Sequence, residues 1–399
     1  MRRIWAAAAL AAALGLALPA AAQDQVKIGV LNDQTGLYAE FGGLGSVEAT
    51  KMAIEDFGGK ALGKPIEVVA VDHQNKPDIA AATARKWYDA DGVTAIADLT
   101  NSAVALAVQA IAKERGKIAL FSGPATTRLT NEDCSPTGFH WVFDTYSQAY
   151  GTARAVLAEK GDTWFLLVAN YAFGHQMAKD LETIVTSGGG KVLGNVRHPI
   201  SNADFSSFLL QAQSSKAKII GLANAGQDTI TTVKQAAEFG IVEGGQKLVG
   251  LVIVLSDVHA LGLASSKGLL TTMAFYHDRD EASRAWSKRY FARTQKMPGM
   301  IQAGVYSSVL HYLRAVEAAG TTDGAKVAAK MRETPVDDFF APKAKIRPDG
   351  RLANDMYLVE VKAPNESKAP WDYFKVLRTI PASEVTIPLA ESKCELVRK

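Results

Sequence analysis

Asn101, Ser102, Ala125 and Thr126 lie in two short polar segments, Asp98-Leu99-Thr100-Asn101-Ser102-Ala103 and Ser122-Gly123-Pro124-Ala125-Thr126-Thr127. Each follows an apolar run that reads as a buried strand, and the first opens a helical pattern. Hydroxyls and free backbone N–H groups at strand ends and helix starts suit an anion such as a carboxylate. That chemistry is capture, and it implies no reaction. Patterns for catalysis are missing: the sequence has no Gly-x-Ser-x-Gly and no His-Glu-x-x-His, and Ser215 to Lys218 leads into a strand. The seven histidines are scattered, with no two at metal-ligand spacing on a helix. The stretch Phe41-Gly42-Gly43-Leu44-Gly45-Ser46 lacks both the Lys-Ser/Thr pair of a P-loop and the third glycine of a dinucleotide site, so it reads as a loop. No enzymatic activity, cofactor or metal is expected.

The elements that must position these residues alternate strand and helix from Val26 onward, the mark of mostly parallel sheets covered on both faces. Strands are expected at 26–31, 66–71, 93–97 and 117–121, with helices at 45–57, 78–90 and 103–115. The rhythm restarts near residue 145, with helices at 147–160, 174–187, 204–214 and 228–239. Strands at 163–168, 191–196 and 217–222 complete this second unit, and further strands at 248–254 and 268–275 follow. Two long helical patterns, 281–295 and 302–319, precede a β-rich tail whose clearest run is 356–361. One core cannot use so many crossover units, so two α/β lobes are expected. The segment 140–148 has no linker composition, which argues for short strand-like hinges.

Residues 1–22 read as a secretory leader: Arg2 and Arg3, an apolar stretch from Ile4 to Leu18, and Ala20-Ala21-Ala22 before Gln23. The apolar run is short for a membrane span and ends at Pro19, so cleavage and export to the periplasm are expected. The chain has 44 basic and 41 acidic residues, two of the former in the leader, and this near-neutrality argues against a nucleic-acid partner. A hydrophobic share of 48% is ample for real cores. Cys134 and Cys394 are the only cysteines, and in an oxidising compartment they are expected to pair, fastening the tail to the loop at 131–136. A catalytic thiol is the sharper alternative, but neither cysteine has an activating base beside it.

Other strand ends carry aromatic and polar side chains: Phe41 in the first loop, Asn170-Tyr171-Ala172-Phe173-Gly174 after 163–168, and Asn224-Ala225-Gly226-Gln227-Asp228 after 217–222. Ligands of open α/β sheets bind outside such ends. If the two lobes face each other, these loops enclose a small molecule between them.

Lys27-Ile28-Gly29-Val30-Leu31, Thr35-Gly36-Leu37-Tyr38 and Ser46-Val47-Glu48-Ala49 resemble the start of type I periplasmic solute-binding proteins of the branched-chain amino acid transporter group. The resemblance runs on through 72–78, Asn101-Ser102-Ala103-Val104, Ser122-Gly123-Pro124-Ala125, Tyr171-Ala172-Phe173-Gly174 and Ala303-Gly304-Val305-Tyr306. It implies two Rossmann-like lobes joined by a three-segment hinge, the second lobe inserted in the first, closing on a ligand and docking on an ABC permease. Lobe 1 is then 23–145 and 272–343, lobe 2 is 146–271 and 344–380, and 381–399 is a tail. By position, Asn101, Ser102, Ala125 and Thr126 match the loops that hold a ligand carboxylate, and Phe41 and Phe173 match an aromatic wall. Asn224 stands near another aromatic position of the family. The acid that holds an amino acid's ammonium is not clearly matched, with only Asp228 and Asp257 close. If both point elsewhere, the ligand lacks an ammonium, because a buried one without an acid is costly. The run Asp257-Val258-His259-Ala260-Leu261-Gly262 resembles a subgroup associated with aromatic and other organic acids. The expected ligand is therefore a carboxylate with an apolar or aromatic body, held against Phe41, Phe173 and Tyr150. Amino-acid binding, a secreted enzyme and a sensor for a membrane receptor are the alternatives, and a monomer is expected.

Overall fold

The computed structural model describes residues 25–397; the leader lies outside them. Five parallel strands form one sheet in the order Glu67–Asp72, Lys27–Asn32, Ala95–Asp98, Ile118–Phe121, Gly138–His140. The inner strands are mostly apolar because helices cover both faces, and Ala95–Asp98 and Ile118–Phe121 are buried at every position, Asp98 included. Four more parallel strands form a second sheet in the order Lys247–Gly250, Ile219–Ala223, Thr163–Ala169, Lys191–His198. An antiparallel sheet of Leu270–Met273, Met356–Val361 and Phe374–Ile380 completes the second lobe. Among the described residues no helix is long and apolar enough to cross a membrane.

Helix Ser102–Arg115 shows how local sequence sets a boundary. The Asn101 side chain accepts the N–H groups of Ala103 at 2.9 Å and Val104 at 3.3 Å, and Gly116 closes the other end in the left-handed region. Such a cap contributes about 1 kcal/mol, and it places Ser102 at the first helical position. Helix Met300–Ala319, buried along most of its length, lies against Gly43–Phe57 on the first lobe.

The chain first leaves that lobe between His140 and helix Thr145–Ala158. Buried Arg351 clamps this passage: its Nε donates to Asp144 at 3.0 Å, and its Nη1 donates to the carbonyls of His140 and Trp141 at 3.2 and 3.1 Å. The chain returns between Met273 and helix Glu281–Thr294 and crosses a third time before Met356. The lobe boundary expected at residue 344 falls just before a short hairpin. The hairpin Lys345–Ile346 with Leu352–Ala353 stays beside the first sheet, because Arg351 bridges to His140 and its guanidinium serves the carbonyls of the first passage. The strand expected at 248–254 stops at Gly250, and the short helix Leu255–Leu261 follows. Helix Gly324–Glu333 was not anticipated either.

Cys134 and Cys394 form a disulfide with Cα atoms 5.6 Å apart, as their number and compartment suggest. Because the tail leaves the second lobe's strand Phe374–Ile380 and Cys134 belongs to the first lobe, this bond is a covalent link between lobes in addition to the three passages.

Candidate functional site

A narrow crevice with about 20 Å³ of water-accessible space lies between the lobes at the carboxyl ends of both parallel sheets. The first lobe contributes Tyr38 and Phe41, Thr100 and Ser102, and Gly123 and Ala125, each pair from the loop after a different strand. Phe143 enters from the first passage. The second lobe contributes Tyr171 and Phe173, Ala225, and Val252. No charged side chain lines this space, and five of its eleven residues are aromatic.

At its polar end, the Ser102 Oγ accepts the N–H groups of Ala125 at 3.3 Å and Thr126 at 3.2 Å. This brings the two polar segments of the sequence together: one hydroxyl and two backbone N–H groups meet at the start of a helix, a favourable place for negative charge. At the junction of the lobes, the Tyr38 and Tyr171 hydroxyls lie 2.5 Å apart. Burial raises the pKa of both phenols well above the ordinary value, so each stays neutral. Closely apposed backbone completes the junction. Gly226 has φ of 61°, and a Cβ there would sit 2.6 Å from the Leu37 carbonyl oxygen of the other lobe. Only glycine suits that conformation and that approach.

Of the residues singled out in the sequence, Phe41, Ser102, Ala125 and Phe173 line the crevice. The others do not, for reasons their hydrogen bonds make plain. Asn101 spends its side-chain oxygen on the helix cap and donates its amide to Asn75 at 3.3 Å. Thr126 contributes its N–H to Ser102, while its own hydroxyl accepts the Arg128 N–H at 3.4 Å. Tyr150 does not line the crevice; it stacks on Tyr146, 5.8 Å between ring centroids, with the Arg154 guanidinium over its ring 5.4 Å from the centroid. Asn224 is buried and engaged on every side, accepting from Thr229 at 2.8 Å and donating to Thr232 at 3.1 Å.

The two acids considered for an ammonium are also committed elsewhere. Asp228 accepts the N–H groups of Ser201 at 3.1 Å and Asn202 at 3.0 Å, one on each oxygen, and burial pushes its pKa up to about 6. It tethers the loop after Lys191–His198 to the start of helix Gln227–Glu238. Asp257 accepts the Val254 N–H at 3.0 Å as part of the start of helix Leu255–Leu261, and burial pushes its pKa up to about 7.

Sequence reasoning missed Tyr38, Thr100, Gly123, Phe143, Tyr171, Ala225 and Val252 as crevice residues. Tyr171 and Thr100 had a readable signal, since each stands in a strand-end loop already singled out. Phe143 and Val252 had none, because a hinge residue and an apolar residue after a strand look like ordinary core.

The model of a family described as periplasmic binding protein matches residues 25–368. A Leu/Ile/Val-binding protein homolog 6 of Brucella melitensis biotype 1 is 26% identical over 366 residues, covering 88% of this chain and 91% of the relative. The crystal structure of a periplasmic binding protein from Burkholderia mallei superposes with a TM-score of 0.92 at 52% identity, covering 94% of this chain and 99% of that one. A branched-chain amino acid ABC transporter periplasmic ligand-binding protein from Burkholderia xenovorans LB400 gives 0.84 at 40% identity, with 94% and 100% covered. An ABC transporter solute-binding protein from R. palustris in complex with benzoate shares the fold at 20% identity, with a TM-score of 0.82 and 93% and 99% covered. With paired α/β lobes, a crevice at their facing strand ends and a family match over most of its length, this chain belongs to the periplasmic binding protein family.

Proposed function

We propose that this protein is the periplasmic substrate-binding component of an ABC importer, and that it captures a small carboxylate with an aromatic body. The observation that carries the choice of ligand is the crevice lining: aromatic rings, hydroxyls and backbone N–H groups, with Asp228 and Asp257 both turned to backbone N–H groups elsewhere. An amino acid's ammonium would enter this space without a carboxylate, a cost of several kcal/mol. A carboxylate finds the Ser102 hydroxyl, and the Ala125 and Thr126 N–H groups reach it by giving up their 3.3 and 3.2 Å bonds to the Ser102 Oγ. Hydrogen bonds to a charged group contribute about 1.5–3 kcal/mol each, so three of them with some ring burial reach the ~8 kcal/mol of micromolar binding. The benzoate complex of the R. palustris neighbour supports the ligand class, and the name of the B. xenovorans neighbour supports the transporter.

Ligand contacts made by both lobes favour the closed arrangement, which a membrane permease then recognises. Isothermal titration of purified protein with benzoate, 4-hydroxybenzoate, leucine and isoleucine tests the reading, and native mass spectrometry of freshly isolated protein identifies any ligand carried through purification. Leucine or isoleucine binding more tightly than either benzoate would overturn it.

A further inference from the structure

A buried acid lies beneath the polar end of the crevice. Asp98 ends strand Ala95–Asp98, is 0% exposed, and opens the turn that delivers Thr100 and Ser102. It and Leu99 have φ of 75° and 59°, two successive non-glycine residues in the left-handed region. Its Oδ2 accepts the Asn32 amide at 2.8 Å, while Oδ1 has no hydrogen-bond partner among the described residues. The Ser46 and Thr100 hydroxyls stand beside the carboxyl and ease its charge, yet neither meets hydrogen-bond geometry. Two glycines make room for it. A Cβ on Gly42 would come 2.4 Å from Oδ2, and one on Gly123 would come 2.6 Å from Oδ1. Since Gly123 and Thr100 both line the crevice, one layer of backbone separates this carboxyl from its interior.

Every side chain that faces Asp98 is neutral: Asn32 from strand Lys27–Asn32, Ser46 from helix Gly43–Phe57, and Thr100 from its own turn. The Ser122 and Gly123 N–H groups, after strand Ile118–Phe121, donate to its backbone carbonyl, both at 3.2 Å. Asp33, the acid next to Asn32, is turned to the N–H groups of Gly36 and Tyr38 and the Asn75 amide. Asp98 thus has no cation against it, and neither does the crevice.

We propose that Asp98 is a positioning residue of the anion site that takes up a proton from solvent when a carboxylate binds, and as the neutral acid donates from Oδ1 to the Thr100 hydroxyl. This rests on the reading of the ligand as an anion. Burial already pushes the Asp98 pKa up to about 6. A second negative charge across one backbone layer raises it by roughly one to two units more. Binding at pH 7 is then accompanied by uptake of roughly half a proton, and affinity falls on the order of tenfold from pH 5.5 to 8.

Titration calorimetry of the full mature chain with benzoate and 4-hydroxybenzoate, in buffers of different ionisation enthalpy, measures that proton directly. D98N carries the amide counterpart of the neutral acid, so its expected uptake is zero and its affinity is flat across the same pH range. Zero uptake by wild type, or uptake that persists in D98N, would overturn the proposal while leaving the functional reading intact. Leucine binding with neither acid bound would overturn the functional reading and this inference together. The carbon-13 shift of the Asp98 carboxyl in wild type, with and without benzoate at pH 7, reads the same proton without any substitution: movement toward the neutral acid is expected, and no movement overturns the proposal.

Discussion

Gly226→Ala separates lobe closure from lobe folding. Gly226 has φ 61° and ψ −137°, a conformation costing an L-residue on the order of 1–3 kcal/mol, and that strain is local to the second lobe whether the lobes touch or part. Closure adds a second cost. The new methyl would lie 2.6 Å from the Leu37 carbonyl oxygen and 3.2 Å from the Tyr38 ring, where an ordinary contact needs roughly 3.5 Å. Relief requires the lobes to part by about 1 Å at this point, where the Gln227 N–H meets the Leu37 carbonyl at 3.5 Å and the tyrosine hydroxyls meet at 2.5 Å. A buried neutral hydrogen bond contributes about 0.5–1.5 kcal/mol, and loosened ring packing adds a similar amount. The closed state should lose roughly 1.5–3 kcal/mol, weakening ligand binding about 10- to 150-fold. Calorimetry with benzoate reads the affinity, thermal unfolding without ligand reads the local strain, and small-angle scattering reads ligand-induced compaction. Affinity within twofold of wild type, with normal compaction, would refute the argument that this contact belongs to the liganded state.

Phe173→Ala should weaken benzoate binding roughly 10- to 100-fold by removing one wall of the crevice, whereas Tyr150→Ala should leave it within about twofold, and calorimetry on the pair tests the placement of both residues. Replacing both cysteines with serine opens a link spanning 260 residues and should cost about 2–5 kcal/mol, read as a lower unfolding midpoint without reductant; an unchanged midpoint would show that the tail's other contacts suffice. Asp257 is ionised in the unfolded chain above about pH 4 but has a folded pKa of about 7, so its stabilising effect is present at low pH and lost as pH rises through 7. Asp257→Asn removes that loss, and the unfolding midpoint of the variant relative to wild type should climb between pH 5 and 8; a constant difference would refute the assignment.

Much of the architecture could be read from residue order because it depends on neighbours in the chain. Alternating apolar runs and amphipathic stretches place most strands within about two residues, with 248–254 overrunning Gly250 by four and Gly138–His140 and Phe374–Ile380 unread, and Asn101 before an apolar helical pattern marks a helix start. Leu255–Leu261 escaped this reading because its apolar residues continue the preceding strand's pattern, while the Asp257 carboxyl accepts the Val254 N–H at the helix start. The disulfide was equally legible, since two cysteines in a chain expected to be exported leave one pairing.

The site was legible only in part. Ser102 and Phe173 stand at strand ends that face the crevice, so position alone pointed to them. For Asp228 the residue type was visible and its direction was not, because that depends on two backbone N–H groups 26 and 27 residues away. Tyr38 and Tyr171 are 133 residues apart, and nothing local marks them as partners. Sequence alone thus determined the lobes, the strand-end loops and the two polar segments, through steric and hydrophobic preferences that act over a few residues. Which acids are spent on backbone, which rings face the crevice and where the lobes meet were decided by tertiary structure, since each depends on groups brought together by the packing of whole lobes.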